Sequence, residues 1–374
     1  MCGYFFLDDY ASHYRLFSRF LFFLGIFAFA GGLRDIWRHP VFLTIVAYMV
    51  YLLLSGFWSE PFEWFRLGQK FVISVYLLNF IAITHYLVRW NRSLFEHLLQ
   101  FCIAAATVAA AVSILVFYSD NPFPTKRLSG IGSLTNINEF SVVYGAFALL
   151  AMGFALRPGR LPLQLFNFLA VAVFISFAVL GQSRTTLAAL LFALFALAGL
   201  TLREQRALIA TILVILVAAP ILIFPDAVVQ SMQRGIGLRP QIWSGVWEGI
   251  KSAPVLGHGI LAELAIDAGR HTFHNAHSAY LQVFWEGGVI GLALFLLLLF
   301  MALRYSYTLG WRQGDYTVVC MLLFAACVMT TDLDSLIARP RDQWILFWFP
   351  LALLLSYQAI KAGPAPHKTA RSPG

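Results

Sequence analysis

Residues 161–202 read LPLQLFNFLAVAVFISFAVLGQSRTTLAALLFALFALAGLTL. Two apolar runs of about twenty residues, the length a helix needs to cross a bilayer, are parted by one polar break, Gly181-Gln182-Ser183-Arg184-Thr185-Thr186. Runs of this kind read as lipid-facing helices, since an outer-membrane barrel would show short alternating strands.

The same pattern recurs along all 374 residues, of which 60% are hydrophobic and 12% charged. An average soluble domain carries about 25% charge. The 26 Lys and Arg with 18 Asp and Glu are too few to coat a soluble chain of this size. Mean hydropathy, +0.76, agrees. Spans are expected at roughly 16–34, 40–58, 67–88, 97–118, 139–156, 161–181, 184–202, 206–224, 284–303, 315–333 and 343–360. The expected fold is therefore an all-α polytopic membrane bundle of about eleven helices, ten to twelve allowing for Arg15 and Arg19 at the start of the first. It divides into N-terminal helices (1–224), a long loop (225–277), C-terminal helices (278–361) and a tail (362–374) whose Pro, Gly, Ser and basic content predicts disorder.

The net charge of +8 comes from paired basic residues between apolar runs, not from a continuous stripe, so no nucleic-acid partner is expected. Arg34 and Arg38, Arg89 and Arg92, Arg157 and Arg160, Arg203 and Arg206, and Arg304 and Arg312 fall on one side with the tail's Lys361, Lys368 and Arg371. Total Lys and Arg tie between the two sides. Density in short loops makes this side cytoplasmic, which puts 225–277 outside. Cys102, Cys320 and Cys327 lie in apolar runs and read as small hydrophobes. Nothing around Cys2 resembles a lipoprotein cleavage site, and the first segment is expected to be retained.

A loop as long as 225–277 is uncommon unless it is functional or disordered. Within it Ile242, Trp243, Val246, Trp247 and Ile250 mark an amphipathic helix that suits the membrane interface and stops before Pro254, Gly257 and Gly259. Three places could carry chemistry. Arg184, with Ser183 able to cap the helix that follows, would join a guanidinium to a positive helix end and form an anion site; an ordinary turn with a snorkelling arginine is the bland alternative. Arg234 and Arg239 flank Gly235-Ile236-Gly237-Leu238 before the amphipathic helix. Their forked donors suit a diphosphate, and a basic loop on anionic lipid is the alternative. His271, His274 and His277 recur every third residue, which admits a zinc site with Glu286 nearby, or a general base. Asp332-Leu333-Asp334 weakly suggests a metal-holding pair.

Four stretches, Arg239-Pro-Gln-Ile-Trp243, Ser252-Ala-Pro-Val-Leu-Gly-His-Gly259, His277-Ser-Ala-Tyr-Leu-Gln282 and Glu286-Gly-Gly-Val-Ile-Gly291, resemble in order and spacing the central block of the O-antigen ligase family. The resemblance covers about 180–295 by motif and the remainder by architecture. It implies a metal-independent glycosyltransferase of the bacterial inner membrane, without a cofactor and with its site facing the periplasm. The implied donor is an undecaprenyl-diphosphate-linked glycan, and the acceptor is lipid A-core, a growing polymer or a protein hydroxyl. Membrane lipids surround it. The resemblance maps the family's loop histidine onto His277 rather than His274, and its arginines onto Arg184 and Arg239, with Arg234 matched less firmly. Ser278 stands where relatives often carry Asn. The chain ends soon after its last span, which favours the ligase over the polymerase or protein oligosaccharyltransferase. A transporter of lipid-linked sugars is the rival from another class, but such folds often carry repeated halves and none is visible here.

Overall fold

The computed structural model describes residues 10–30, 34–132, 136–201, 237–269 and 271–359, with isolated positions at 5, 134, 209–211, 225 and 229. Arg203, Arg206, Arg234, most of the expected span at 206–224 and the tail at 362–374 lie outside the described residues. The helices are α1 (Tyr10–Ala30), α2 (Pro40–Ser55), α3 (Trp64–Trp90), α4 (Arg92–Asp120), α5 (Ile137–Leu156), α6 (Leu161–Leu180) and α7 (Arg184–Leu200). After the gap follow α8 (Arg239–Ile250), a hairpin of β1 (Ile266–Ala268) and β2 (His271–Phe273), α9 (Ala279–Gln313), α10 (Thr317–Val328) and α11 (Phe349–Ala359).

Six of the described helices are long and apolar enough to cross a membrane: Pro40–Trp58, Trp64–Trp90, Arg92–Asp120, Ile137–Leu156, Leu161–Leu180 and Ala279–Gln313. Three expected spans are shorter apolar helices, Arg184–Leu200, Thr317–Val328 and Trp344–Gln358. At 1.5 Å per residue the twelve residues of α10 cover about 18 Å, short of the ~30 Å hydrocarbon core. The expected segment 315–333 is thus cut short, because the chain leaves the helix at Met329 to form the wall of a cavity. The last span opens with a π-helical stretch, Trp344–Trp348, just ahead of Pro350, whose missing N–H and bulky ring disfavour a regular α turn there.

α5 is buried along almost its whole length and forms the centre of the bundle. It packs against α6, while α2 packs on α9, α7 on α10, and α3 on both α1 and α11. The two ends of α5 differ in character. Its C-terminal end carries Arg157, which bonds Asp315 at 2.7 Å and Glu96 at 3.4 Å, tying the first turns of α4 to the short loops after α5 and before α10. Its N-terminal end, about 30 Å away by helix rise, carries Asn136, Asn138 and Glu139 and borders the cavity described below.

α8 is the expected amphipathic helix. Its apolar face lies on protein, however, because Ile242, Val246 and Ile250 form a second core with Leu264, Ala268 and Ala276. Trp247 remains 49% exposed, and Trp243 turns inward. The loop after α8 is stitched to α9, whose helix breaks at Gly288 (φ 59°, ψ −162°), a backbone region almost confined to glycine. His258 N–H donates to Trp285 O, Gly259 N–H to Glu286 O and Val289 N–H to Pro254 O at 2.8–2.9 Å. A Cβ at Gly288 would meet Val255 O at 2.2 Å, and one at Gly257 would meet Gly288 N at 2.4 Å. The Gly257-His-Gly259 and Glu286-Gly-Gly288 motifs are therefore two sides of one backbone contact.

Candidate active site

The polar break at 181–186 is held in place from two directions. Arg127 Nε donates to Gly181 O at 3.1 Å, Gln182 Nε2 donates to Thr125 O at 3.1 Å, and Leu128 N–H donates to Leu180 O at 3.0 Å. On the other side Thr185 Oγ1 meets Thr331 Oγ1 at 2.9 Å. Gln182 adopts a left-handed backbone (φ 49°), which tightens the turn. Ser183 occupies the N-cap position of α7, but its hydroxyl donates to Thr186 Oγ1 at 2.9 Å instead of accepting a backbone N–H. The expected side-chain cap is absent for that reason. Arg184 nevertheless sits at the first turn of α7, beside the positive end of the helix dipole.

Arg239 opens α8, with Pro240 in the first turn, where its missing N–H is harmless. Its guanidinium donates from Nη2 to Asp332 Oδ1 at 2.9 Å. The sequence offers Asp332 and Asp334 as a pair; instead Leu333 takes a left-handed conformation (φ 70°) between them, and Asp332 is the ion-pair partner of Arg239. Burial raises the Asp332 carboxyl above its usual range, opposed first by Arg239 and then by His277.

His277 precedes α9 in a left-handed turn (φ 46°), an uncommon conformation for a residue with a side chain. Its neighbours fix that turn. Trp243 Nε1 donates to Ala276 O at 3.1 Å, Ala276 N–H donates to Gln282 Oε1 at 3.2 Å, and Ala279 N–H donates to Met329 O at 3.0 Å. Ser278 caps α9 by accepting from Leu281 N–H at 3.5 Å. The imidazole lies 5.9 Å from the Phe273 ring, and its nitrogens have no hydrogen-bond partner among the described residues. Burial holds its pKa below the usual histidine value, helped by the Arg239 cation and opposed by Asp332 and Asp334.

The three histidines do not share a helical face. His271 lies on β2, His274 Nδ1–H donates to Leu264 O at 3.2 Å from the following bend, and His277 stands at the mouth of α9. Among the described residues no three His, Cys, Asp or Glu side chains converge as metal ligands would.

Arg184, Arg239 and His277 all line one cavity of about 890 Å³, floored by the starts of α7 and α8 and by Thr330, Thr331 and Asp332 after α10. Its wall is part apolar, through Ala188, Phe192 and Ile242. Two residues that sequence reading did not single out belong to it. Arg127 Nη2 donates to Asn138 Oδ1 at 2.9 Å, and Asn138 reaches Asp332 at 3.5 Å, so a polar chain links the 121–136 loop to Arg239. Nothing local marks Arg127, because its partners come from α5 and from the turn after α6. The arrangement sets guanidinium groups and two helix N-termini around space fit for an anion, with an unengaged imidazole at its edge.

Two comparisons bear on this geometry. A family profile described as O-Antigen ligase matches residues 168–296, the stretch from α6 through the first half of α9. The chain is also similar to a protein of Pseudomonas aeruginosa named O-antigen ligase, 29% identical over 368 residues that cover 95% of this chain and 87% of that one. With several apolar helices long enough to cross a membrane, and with Arg184, Arg239 and His277 of the cavity wall inside the matched stretch, this chain is similar to the O-antigen ligase family.

Proposed function

We propose that the chain transfers a glycan from undecaprenyl diphosphate to an acceptor hydroxyl, that of lipid A-core, on the periplasmic side of the bacterial inner membrane. The reading is supported above all by Arg184, Arg239 and His277 lining one cavity although they are remote in sequence. The bond between the anomeric carbon and the diphosphate oxygen breaks, and the electron pair leaves with the diphosphate. Arg184, Arg239 and the two helix N-termini offset that charge as it develops. Arg239 engages Asp332 through one of its five donors and keeps the others for phosphate oxygens. The acceptor oxygen attacks from the opposite face and gives its proton to neutral His277, so the configuration inverts. Charge is handled by guanidinium groups, and no divalent metal is required.

The test is a reconstituted reaction: purified protein in detergent, an undecaprenyl-diphosphate glycan, and lipid A-core, a second glycan chain or a protein as acceptor, each with and without chelator. Transfer to lipid A-core in chelator is expected. Transfer to another acceptor alone would make the chain a polymerase or an oligosaccharyltransferase, and transport without transfer would reject the enzyme.

A further inference from the structure

The arginine-lined cavity continues past His277 into a second, polar lobe of about 490 Å³. Both lobes include Arg127, Asn136, Asn138, His277 and Asp332 in their walls. Their chemistry diverges from there. The first adds Arg184, Arg239 and apolar side chains. The second adds the carboxyls Glu139, Asp334 and Asp342, and its added cation, Arg341, is bonded to Glu139. Carboxyls outnumber guanidinium groups in this lobe, the reverse of the first.

Two polar groups in the second lobe stand out. Asp342 is 9% exposed and has no hydrogen bond or ion pair among the described residues. Asn275, two residues before His277, has a buried Oδ1 with no hydrogen-bond partner among the described residues. Buried polar atoms are almost always hydrogen-bonded, and leaving one bare is destabilising. Asn275 Oδ1 is such an atom, and it shares the wall of one roomy polar cavity with the Asp342 carboxyl, a pair completed by a ligand rich in hydroxyls, each of which both donates and accepts. A phosphate would face an excess of carboxyls there, and an apolar ligand would leave both groups bare.

We propose that this lobe is the acceptor subsite, taking the terminal sugar of the acceptor as a neutral, hydroxyl-rich ring that Asn275 and Asp342 hold while one hydroxyl meets His277. The assignment rests on the transfer reading above. It divides the cavity by charge, with the anionic donor on the arginine side of His277 and the neutral acceptor sugar on the carboxyl side. Burial and the neighbouring Glu139 hold the Asp342 carboxyl well above the usual carboxylate range, which favours its neutral, hydrogen-bond-donating form.

The experiment is steady-state kinetics of the full-length protein in detergent, varying donor and acceptor separately. Asp342→Leu and Asn275→Ala are each expected to raise the acceptor KM about tenfold, the scale of one lost hydrogen bond to a buried group, and to leave the donor KM unchanged. Asp342→Asn keeps a donor and an acceptor in place and is expected to stay within about threefold of wild type. An unchanged donor KM also reports that the leucine variant is folded. A synthetic acceptor phosphorylated on its terminal sugar is expected to react at least tenfold less efficiently than its neutral twin. Unchanged acceptor KM in both Asp342→Leu and Asn275→Ala, or equal use of the phosphorylated acceptor, overturns the subsite and leaves the transfer reading intact. Absence of transfer by the wild-type protein overturns both.

Discussion

His277 is held in a left-handed turn by the backbone bonds of Ala276 and Ala279, and its ring is left unengaged. As the base that takes the acceptor proton it must be neutral. Its pKa is lowered by burial and by Arg239, so the neutral form persists below the ordinary histidine value. The transfer rate is therefore expected to stay flat as pH falls to about 6.5 and to drop only below it. Arg239→Ala removes a cation from beside the imidazole, so the residual activity of that variant should fall at higher pH than wild type. His277→Ala should cost ~100- to 10,000-fold in kcat, with His271→Ala and His274→Ala retaining substantial activity. Comparable losses at all three histidines, with chelator sensitivity, would indicate a metal site instead. Arg184→Ala and Arg239→Ala should each lower the rate by ~100- to 1,000-fold, and lysine should rescue poorly because it lacks the planar fork. Wild-type transfer by either alanine variant at normal abundance would refute the diphosphate assignment.

At the scale of elements, the site depends on the joint between the loop after α8 and the break in α9. Gly288 has a backbone conformation nearly closed to other residues, and a Cβ would overlap Val255 O. Gly288→Ala is expected to destabilise the fold by about 3 kcal/mol or more, seen as loss of monodisperse protein on heating in detergent. Gly68, in α3 with no atom near its would-be Cβ, is the control: Gly68→Ala should be neutral or slightly stabilising. Equal melting of the two variants would mean that the joint is not rigid. α8 shows how a helix is read correctly and still misplaced. Its period predicts the apolar face, but the period is equally consistent with lipid and with the hairpin and α9, which cover it here.

For the whole molecule, the charged network of Arg157, Asp315 and Glu96 and the cavity lie at opposite ends of α5. If short basic loops face the cytoplasm, the cavity faces outward. Lys251→Cys, on the exposed end of α8, should be labelled by an impermeant thiol reagent in intact spheroplasts, whereas Pro158→Cys should not. The reverse pattern would put the reaction in the wrong compartment.

Much of this was legible in the amino-acid order. Apolar run length fixed the membrane class, because a lipid environment demands about twenty uninterrupted residues per span. The family block singled out Arg184, Arg239 and His277, and helical period located α8. Other features depend on contacts between residues distant in sequence. The pairing of Arg239 with Asp332, the Arg127 link through Asn138, and the polar lobe with Asp342 and Asn275 join α5, α8 and the segment after α10. The short α10 and the break at Gly288 likewise follow from what packs beside them. Periodicity and composition report how each segment meets its solvent, whereas ion pairs and close backbone approaches form between segments, so only the packed tertiary structure could decide them.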